Sequence, residues 1–301
     1  MNDFMYYNPV RVHFGADAMS HLPEELGKFG ANVLLTYGGG SIKRTGLYDR
    51  VLDALRAAGK SVYELSGIMP NPRTEKVYEG IELCRKHKID LILAVGGGSV
   101  IDTCKAIAHG AANPETDLWE FWKKRAVLTR SMPVGVVLTI PAAGSETSDS
   151  AVLTNAESGE KRGLNTDLNR PVFAILDPVL AATLPNHQVA CGVSDIMMHT
   201  MERYFTNGGN MELTDALAEG LLRTVMKNAV ILHTDPANYE ARAEVMWAGS
   251  LSHNGLTGCG IASGDFMSHK LEHEMGGMFD VTHGAGLAAL WPSWARYVYK
   301  D

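Results

Sequence analysis

The chain carries no run of Lys and Arg, and its 301 residues have a formal net charge of −7. Nucleic-acid binding draws on clustered positive charge, so nucleic acid is not an expected partner. No apolar stretch is long enough to cross a bilayer, and no membrane span is expected. Met1-Asn2-Asp3-Phe4 lacks a positive region leading into an apolar run, which argues against a secretory signal. The four cysteines, Cys84, Cys104, Cys191 and Cys259, lie far apart and form no C-x-x-C pair. Reduced thiols in the cytoplasm fit that pattern. There is no internal repeat and no low-complexity segment. What is present is 46% hydrophobic and 20% charged residues, the balance of a globular chain long enough for two domains.

Residues 1 to about 178 alternate strand and helix signals. Asn32–Tyr37, Ser61–Leu65, Ile89–Val95, Val134–Ile140 and Val172–Leu176 read as strands, and Leu47–Ala58 and Thr74–His87 as helices. Thr74 is the expected N-cap of the second of these helices. Such alternation predicts a mainly parallel sheet with helices on both faces. After Pro185 the periodicity becomes helical, with helices expected over Asn186–Tyr204, Glu212–Leu232, Tyr239–His253, Ala262–Met275 and Gly284–Tyr299. The break near Asp177-Pro178 to Pro185 divides the chain into an α/β dinucleotide-binding domain over 1–180 and an all-helical domain over 181–301.

Two glycine-rich turns follow strands. Gly96-Gly97-Gly98-Ser99 leads into Val100-Ile101-Asp102 at a helix start. Glycines let the backbone approach a pyrophosphate, and a helix N-terminus offers free N–H groups and a positive dipole end. Ser99 can donate to a phosphate oxygen or cap the helix. The earlier turn, Gly38-Gly39-Gly40-Ser41-Ile42-Lys43-Arg44, contains no acid. A carboxylate usually meets the ribose 2′-hydroxyl of NAD, whereas a 2′-phosphate needs open space and positive charge. The turn therefore favours NADP(H), with NAD(H) as the other possibility; the alternative for Lys43 and Arg44 is a solvated edge. Thr139-Ile140-Pro141-Ala142-Ala143-Gly144-Ser145-Glu146-Thr147 is a third polar loop whose hydroxyls could face a cofactor.

The helical half holds Asp195 and His199 at i, i+4, His269 and His273 at the same spacing, and His283 at another helix start. Residues four apart share a helix face. One carboxylate and three imidazoles suit a divalent transition metal with a position left open, and both Fe2+ and Zn2+ accept such ligands. Asp195, His199, His269 and His283 are the candidate ligands. His273, one turn past His269, is the candidate proton relay, since imidazole titrates near neutral pH. The remaining histidines, among them His109 and His253, read as structural or exposed. Two alternatives stay open at this point: Asp195 and His199 as a simple hydrogen-bonded pair, and His269-Lys270-Leu271-Glu272-His273 as the inverted zinc-protease motif H-x-x-E-H.

Taken in order along the whole chain, these stretches resemble the iron-containing (group III) alcohol dehydrogenases, in the butanol dehydrogenase and NADPH-dependent aldehyde reductase branch. The resemblance runs through Tyr37–Gly46, Gly96–Asp102, Pro141–Glu146, Leu176-Asp177-Pro178, Gly192–Asp195 with His199 and Glu202, and His269, His273 and His283-Gly284. It implies a dehydroquinate synthase-like fold, an N-terminal α/β domain followed by a helical domain. It implies a metal, usually iron(II) and in some members zinc, on Asp195, His199, His269 and His283. It also implies cofactor contacts at Gly38, Gly39, Ser41, Gly97, Gly98, Ser99, Asp102, Thr139, Ser145, Thr147 and Lys161, and small alcohols and aldehydes as substrates.

In that family the helical domain continues through several more helices, whereas this chain stops at Asp301. Apolar helix surface without an intramolecular partner would favour association, and a homodimer is expected. A polyol dehydrogenase or a lyase of related fold, and a shortened protein that binds nucleotide and metal without turnover, are the alternatives to an alcohol dehydrogenase.

Overall fold

A computed structural model describes residues 1–206, 211–261 and 264–300. The chain forms two compact units: Pro9–Thr139 with Asp149–Leu180, and Ala181–Asp301 with Met1–Asn8 and Ile140–Ser148.

The first unit runs β1 (Arg11–Phe14), α1 (Leu22–Gly27), β2 (Asn32–Tyr37), α2 (Ser41–Arg44), α3 (Leu47–Ala57), β3 (Ser61–Leu65), α4 (Thr74–His87), β4 (Leu91–Gly96), α5 (Gly98–Ala112), α6 (Leu118–Trp122), β5 (Val134–Leu138), β6 (Ser150–Asn155), β7 (Glu160–Asn165) and β8 (Phe173–Leu176). Six strands form one parallel sheet in the order β1-β8-β5-β4-β2-β3, and β6 and β7 pair as a separate antiparallel hairpin. The inner strands β4, β5 and β8 are buried along their whole length, which is why they read as unbroken apolar runs. Val33, Leu35, Leu93, Val95, Val137 and Ile175 of the sheet pack on Val51 and Leu55 of α3 and Leu22 and Leu26 of α1.

Three local expectations change. Thr74 is the first residue of α4, and Arg73 takes the extended cap position without a side-chain cap bond. Gly97, not Ser99, caps α5, because only a residue ahead of the first turn can turn the chain into the helix. Strand β1 and the β6–β7 hairpin are not among the strands expected from the sequence: β1 is four residues with exposed ends, and β7 carries Glu160, Lys161 and Arg162 in place of an apolar run.

The second unit contains α7 (Asn186–Tyr204), α8 (Glu212–Thr234), α9 (Tyr239–His253), α10 (Met267–Phe279) and α11 (His283–Val298). Val193 and Ile196 of α7, Leu221 and Val225 of α8 and Val245 of α9 make its core. Met198 and Met201 pack with Leu287 of α11 in a second cluster. The expected helix start at Ala262 lies outside the described residues, and α10 begins at Met267. Phe266 is left-handed at φ 54°, and the Asp265 carboxylate accepts the Met267 N–H at 2.9 Å, so the chain turns there. Ile140–Ser148 joins this unit through Thr147, whose hydroxyl donates to the Ser250 carbonyl at 3.2 Å, and Glu146, which accepts from the Ser250 hydroxyl.

His109 of α5 illustrates how burial fixes a protonation state. The Asn169 amide donates to the carbonyls of Asp149 and Leu164 at 2.8 and 2.7 Å, so its oxygen faces His109 Nε2 at 2.7 Å. His109 therefore donates from Nε2 and accepts at Nδ1 from Ser131 Oγ, 2.9 Å away. Burial, with the nearby Lys105 ammonium, holds this imidazole down to about 4, against the pull of Asn169. Its folded pKa lies below the unfolded value of roughly 6.5, so below that pH the unfolded chain takes up a proton that the folded chain refuses. Stability should fall as pH drops from about 6.5 to about 4, by of order 3 kcal/mol, and then level off. Urea midpoints of the parent and His109→Gln at pH 7 and pH 4.5 test this. Equal pH sensitivity in the two proteins would refute it.

Candidate metal centre and phosphate loops

The strands β2, β4 and β5 are neighbours and run parallel, so the turns that follow them leave the same end of the sheet. That end is where open α/β sheets bind ligands. Gly38 and Gly39 follow β2, Gly97 and Gly98 follow β4, and Thr139 follows β5, donating its N–H to the Gly96 carbonyl at 3.0 Å. Gly97 is extended, and Gly98 and Ser99 open α5, whose first amides have no acceptor within the helix. Asp102 sits deeper: one carboxylate oxygen accepts the Val152 N–H at 2.9 Å and the other lies 3.9 Å from the buried Lys105 ammonium. Lys161, on β7, donates to Asn71 Oδ1 at 2.9 Å. Ser145 and Thr147 lie in the helical unit, both buried.

Ser41 opens α2, and Lys43 lies over the rings of Tyr37 and Tyr48, 5.3 and 4.6 Å from their centroids. The sequence reading missed Glu64 of β3, which accepts from the Tyr37 hydroxyl at 2.6 Å and the Tyr48 hydroxyl at 2.7 Å. Against partial burial, these hydroxyls and Lys43 hold the Glu64 carboxyl below its usual range. Glu64 is thus already engaged by two phenols, and it came close because it pairs in register with Leu35 of the neighbouring strand.

In the helical unit four side chains from three helices converge. Asp195 Oδ1 lies 3.6 Å from His199 Nδ1, 3.6 Å from His269 Nε2 and 3.6 Å from His283 Nε2. Ligand atoms of Asp195, His199 and His269 all lie within 4.8 Å of one another, and these three residues are buried. Asp195 Oδ1, His199 Nδ1 and His269 Nε2 have no hydrogen-bond partner among the described residues. Buried polar atoms are nearly always bonded, so three such atoms left without a partner and lying this close together fit a divalent cation. Burial, together with the neighbouring His253, His269, Arg203 and His283, keeps His199 well below the ordinary imidazole range, and it presents a lone pair. Burial opposes charge on His269 too, but the carboxylates of Asp195 and Glu202 lift it to about 9.

The outer nitrogens are also held. His269 Nδ1 meets Glu202 Oε2, and His283 Nδ1 meets Glu272 Oε2. Glu202 Oε1 accepts the His269 backbone N–H at 3.2 Å. Glu272 is fully buried against His283, which disfavours the inverted protease reading, where it would serve as a general base facing water. His253, read from sequence as structural or exposed, packs against His199 with ring centroids 3.9 Å apart and planes tilted by 31°, and Arg203 donates to its Nδ1 at 2.9 Å. His273 lies one turn past His269, its ring 6.5 Å from that of His269 and 6.0 Å from that of His283. Spacing alone could have found Glu202, three residues past His199, and Glu272, three past His269, because i, i+3 positions share a face.

Comparison with known proteins gives consistent results. Residues 9–178 match the model for iron-containing alcohol dehydrogenases, and residues 188–301 match the model for the C-terminal part of the Fe-containing alcohol dehydrogenase family. The chain is 44% identical over 301 residues to NADH-dependent butanol dehydrogenase A of Clostridium acetobutylicum, covering 100% of this chain and 77% of that protein. It is 42% identical over 295 residues to the NADPH-dependent aldehyde reductase YqhD of Escherichia coli, covering 97% of this chain and 75% of that one. The crystal structure of NADH-dependent butanol dehydrogenase A from Thermotoga maritima superposes with a TM-score of 0.97 at 39% identity, over 100% of this chain and 75% of that one. With both halves matched and these likenesses running along it, the chain belongs to the iron-containing alcohol dehydrogenase family and is an alcohol and aldehyde oxidoreductase.

Proposed function

We propose that the protein transfers hydride between NADP(H) and small to medium primary alcohols and their aldehydes, using Fe2+ or Zn2+ held by Asp195, His199, His269 and His283. The observation that carries this reading is Asp195 Oδ1, 3.6 Å from a nitrogen of each of three imidazoles. A bound divalent metal supplies Lewis acidity to the substrate oxygen, and the nicotinamide supplies or accepts the hydride. The rest falls to the chain's own residues. Asp195 brings the negative charge, and burial keeps His199 a neutral donor. His273 is assigned to carry the proton between the substrate oxygen and solvent through its imidazole.

In this reading residues 1–180 hold the nucleotide and 181–301 the metal. Gly97, Gly98 and Ser99 take the pyrophosphate at the start of α5. Gly38, Gly39 and Ser41 take the adenosine end, and Asp102, Thr139, Ser145, Thr147 and Lys161 complete the contacts. The protein is proposed to act in the cytoplasm as a homodimer. Among the described residues no helix is long and apolar enough to cross a membrane. The reaction is tested by following NADPH at 340 nm with butanal after chelation and after adding back Fe2+ or Zn2+. Metal-dependent consumption supports a dehydrogenase. A lyase shows no net cofactor turnover, and a non-catalytic protein binds NADPH without consuming it.

The nucleotide preference rests on the acid-free turn with Lys43 and Arg44 beside it. Charge-assisted contacts to a 2′-phosphate are each worth roughly 1.5–3 kcal/mol, or tenfold to a hundredfold. The kcat/KM for NADPH is expected to exceed that for NADH by at least about tenfold, and Ser41→Asp should reverse the order. Relatives carry both NADH and NADPH in their names, so this measurement is decisive: a clear preference for NADH defeats the NADP(H) assignment.

A further inference from the structure

We infer that Glu202 and Glu272 are positioning residues for the metal centre, each gripping one imidazole by Nδ1 so that its Nε2 turns toward Asp195. The inference rests on the metal-centre reading above. The two grips form a relay through three helices. Glu202 on α7 holds His269 on α10, and Glu272 on α10 holds His283 on α11. Each helix thereby sets the ligand carried by the next.

The geometry distinguishes these carboxylates from ordinary acidic residues. Both are fully buried, where an unpaired carboxylate would be costly. Glu202 makes a two-point contact with His269, one oxygen on the ring Nδ1 and the other on the backbone N–H at 3.2 Å, fixing both the ring and the first turn of α10. Glu272 fits only because residue 286 is glycine: a Cβ there would lie 2.9 Å from Glu272 Cγ. The choice of nitrogen agrees. His269 and His283 turn Nε2 inward and meet a carboxylate at Nδ1, whereas His199 turns Nδ1 inward and packs against the tilted ring of His253. A carboxylate on the outer nitrogen fixes the tautomer and the ring orientation and makes the inner nitrogen a better donor.

The test titrates chelated protein with Co2+, read by its visible absorption, and with Zn2+ in competition. Glu202→Ala and Glu272→Ala are each expected to weaken Co2+ binding by about 10–100-fold and to alter the visible bands. Glu202→Gln and Glu272→Gln keep an oxygen for Nδ1–H and should fall between parent and alanine variants. These isosteric variants carry the test alone if an alanine variant fails to fold. A structural role would lower the unfolding temperature of the metal-free protein yet leave affinity and bands unchanged. Glutamate variants that bind Co2+ within twofold of the parent, with the parental spectrum, overturn the inference. Asp195→Asn separates the two levels: if it loses Co2+ while the glutamate variants do not, only the positioning role fails. If the parent binds no Co2+ at all, the metal-centre reading fails and takes this inference with it.

Discussion

Asp195→Asn is expected to remove metal binding and to lower aldehyde reduction by more than about a hundredfold, beyond the range for losing a residue that merely orients a ligand. The reason is geometric. Asp195 Oδ1 is the shared neighbour of all three imidazole nitrogens at 3.6 Å, and it brings the only negative charge among the proposed ligands. An amide keeps the shape but not the charge, and three neutral imidazoles without a carboxylate hold a divalent cation less well. His283→Ala should do less damage. Its side chain is 28% exposed, and Asp195, His199 and His269 still form a buried set without it. The expected order of metal affinity is therefore parent, His283→Ala, then Asp195→Asn. Thermal unfolding gives an independent readout. Metal at a hundred times its dissociation constant stabilises the folded chain by about 2.7 kcal/mol, so the parent should melt several degrees higher on adding Zn2+. Asp195→Asn should show no such rise. A variant that still melts higher with metal would remove Asp195 from the ligand set.

How much of this could be read from the sequence differs between fold and site. The helices α7 and α9 and the strands β2 and β3 match their expected limits, because their periodicity is strong and their ends are marked by Pro, Gly or polar residues. Strand β1 escaped because Arg11 and Phe14 at its ends are exposed at the sheet edge, leaving no apolar run to see. Helix α6 has five residues, too few for a 3.6-residue repeat to declare itself. In the site, Asp195 and His199 were legible from i, i+4 spacing on one helix. His269 and His283 stand with them in the expected ligand set, but the arrangement of all three imidazoles around a single Asp195 oxygen depends on how closely the helices approach. The i, i+3 spacing puts Glu202 on the face of His199 and Glu272 on that of His269, but which imidazole each acid holds follows only from the burial and contacts of the folded chain.

That approach leads to the second large effect, Gly284→Ala. Gly284 follows His283 in the first turn of α11, and a Cβ built there would lie 2.0 Å from the Cys191 carbonyl oxygen and 2.6 Å from its carbon. These are backbone atoms of α7, so no rotamer can relieve the clash, and α11 must shift away from α7. The displacement moves His283 off Asp195 and disturbs the packing of Leu287 on Met198 and Met201. Overpacking of this kind costs about 1–3 kcal/mol and more where backbone meets backbone. The control is Gly220→Ala in α8, where an added Cβ meets nothing within 4 Å. Both changes replace a helical glycine by alanine and gain the same roughly 0.5–1 kcal/mol of helix propensity. Gly220→Ala should therefore melt above the parent, and Gly284→Ala below it with altered Co2+ bands. If the two variants melt together, α11 does not rest on α7 as closely as the Gly284–Cys191 contact requires. The delivery of His283 to the centre would then need another explanation.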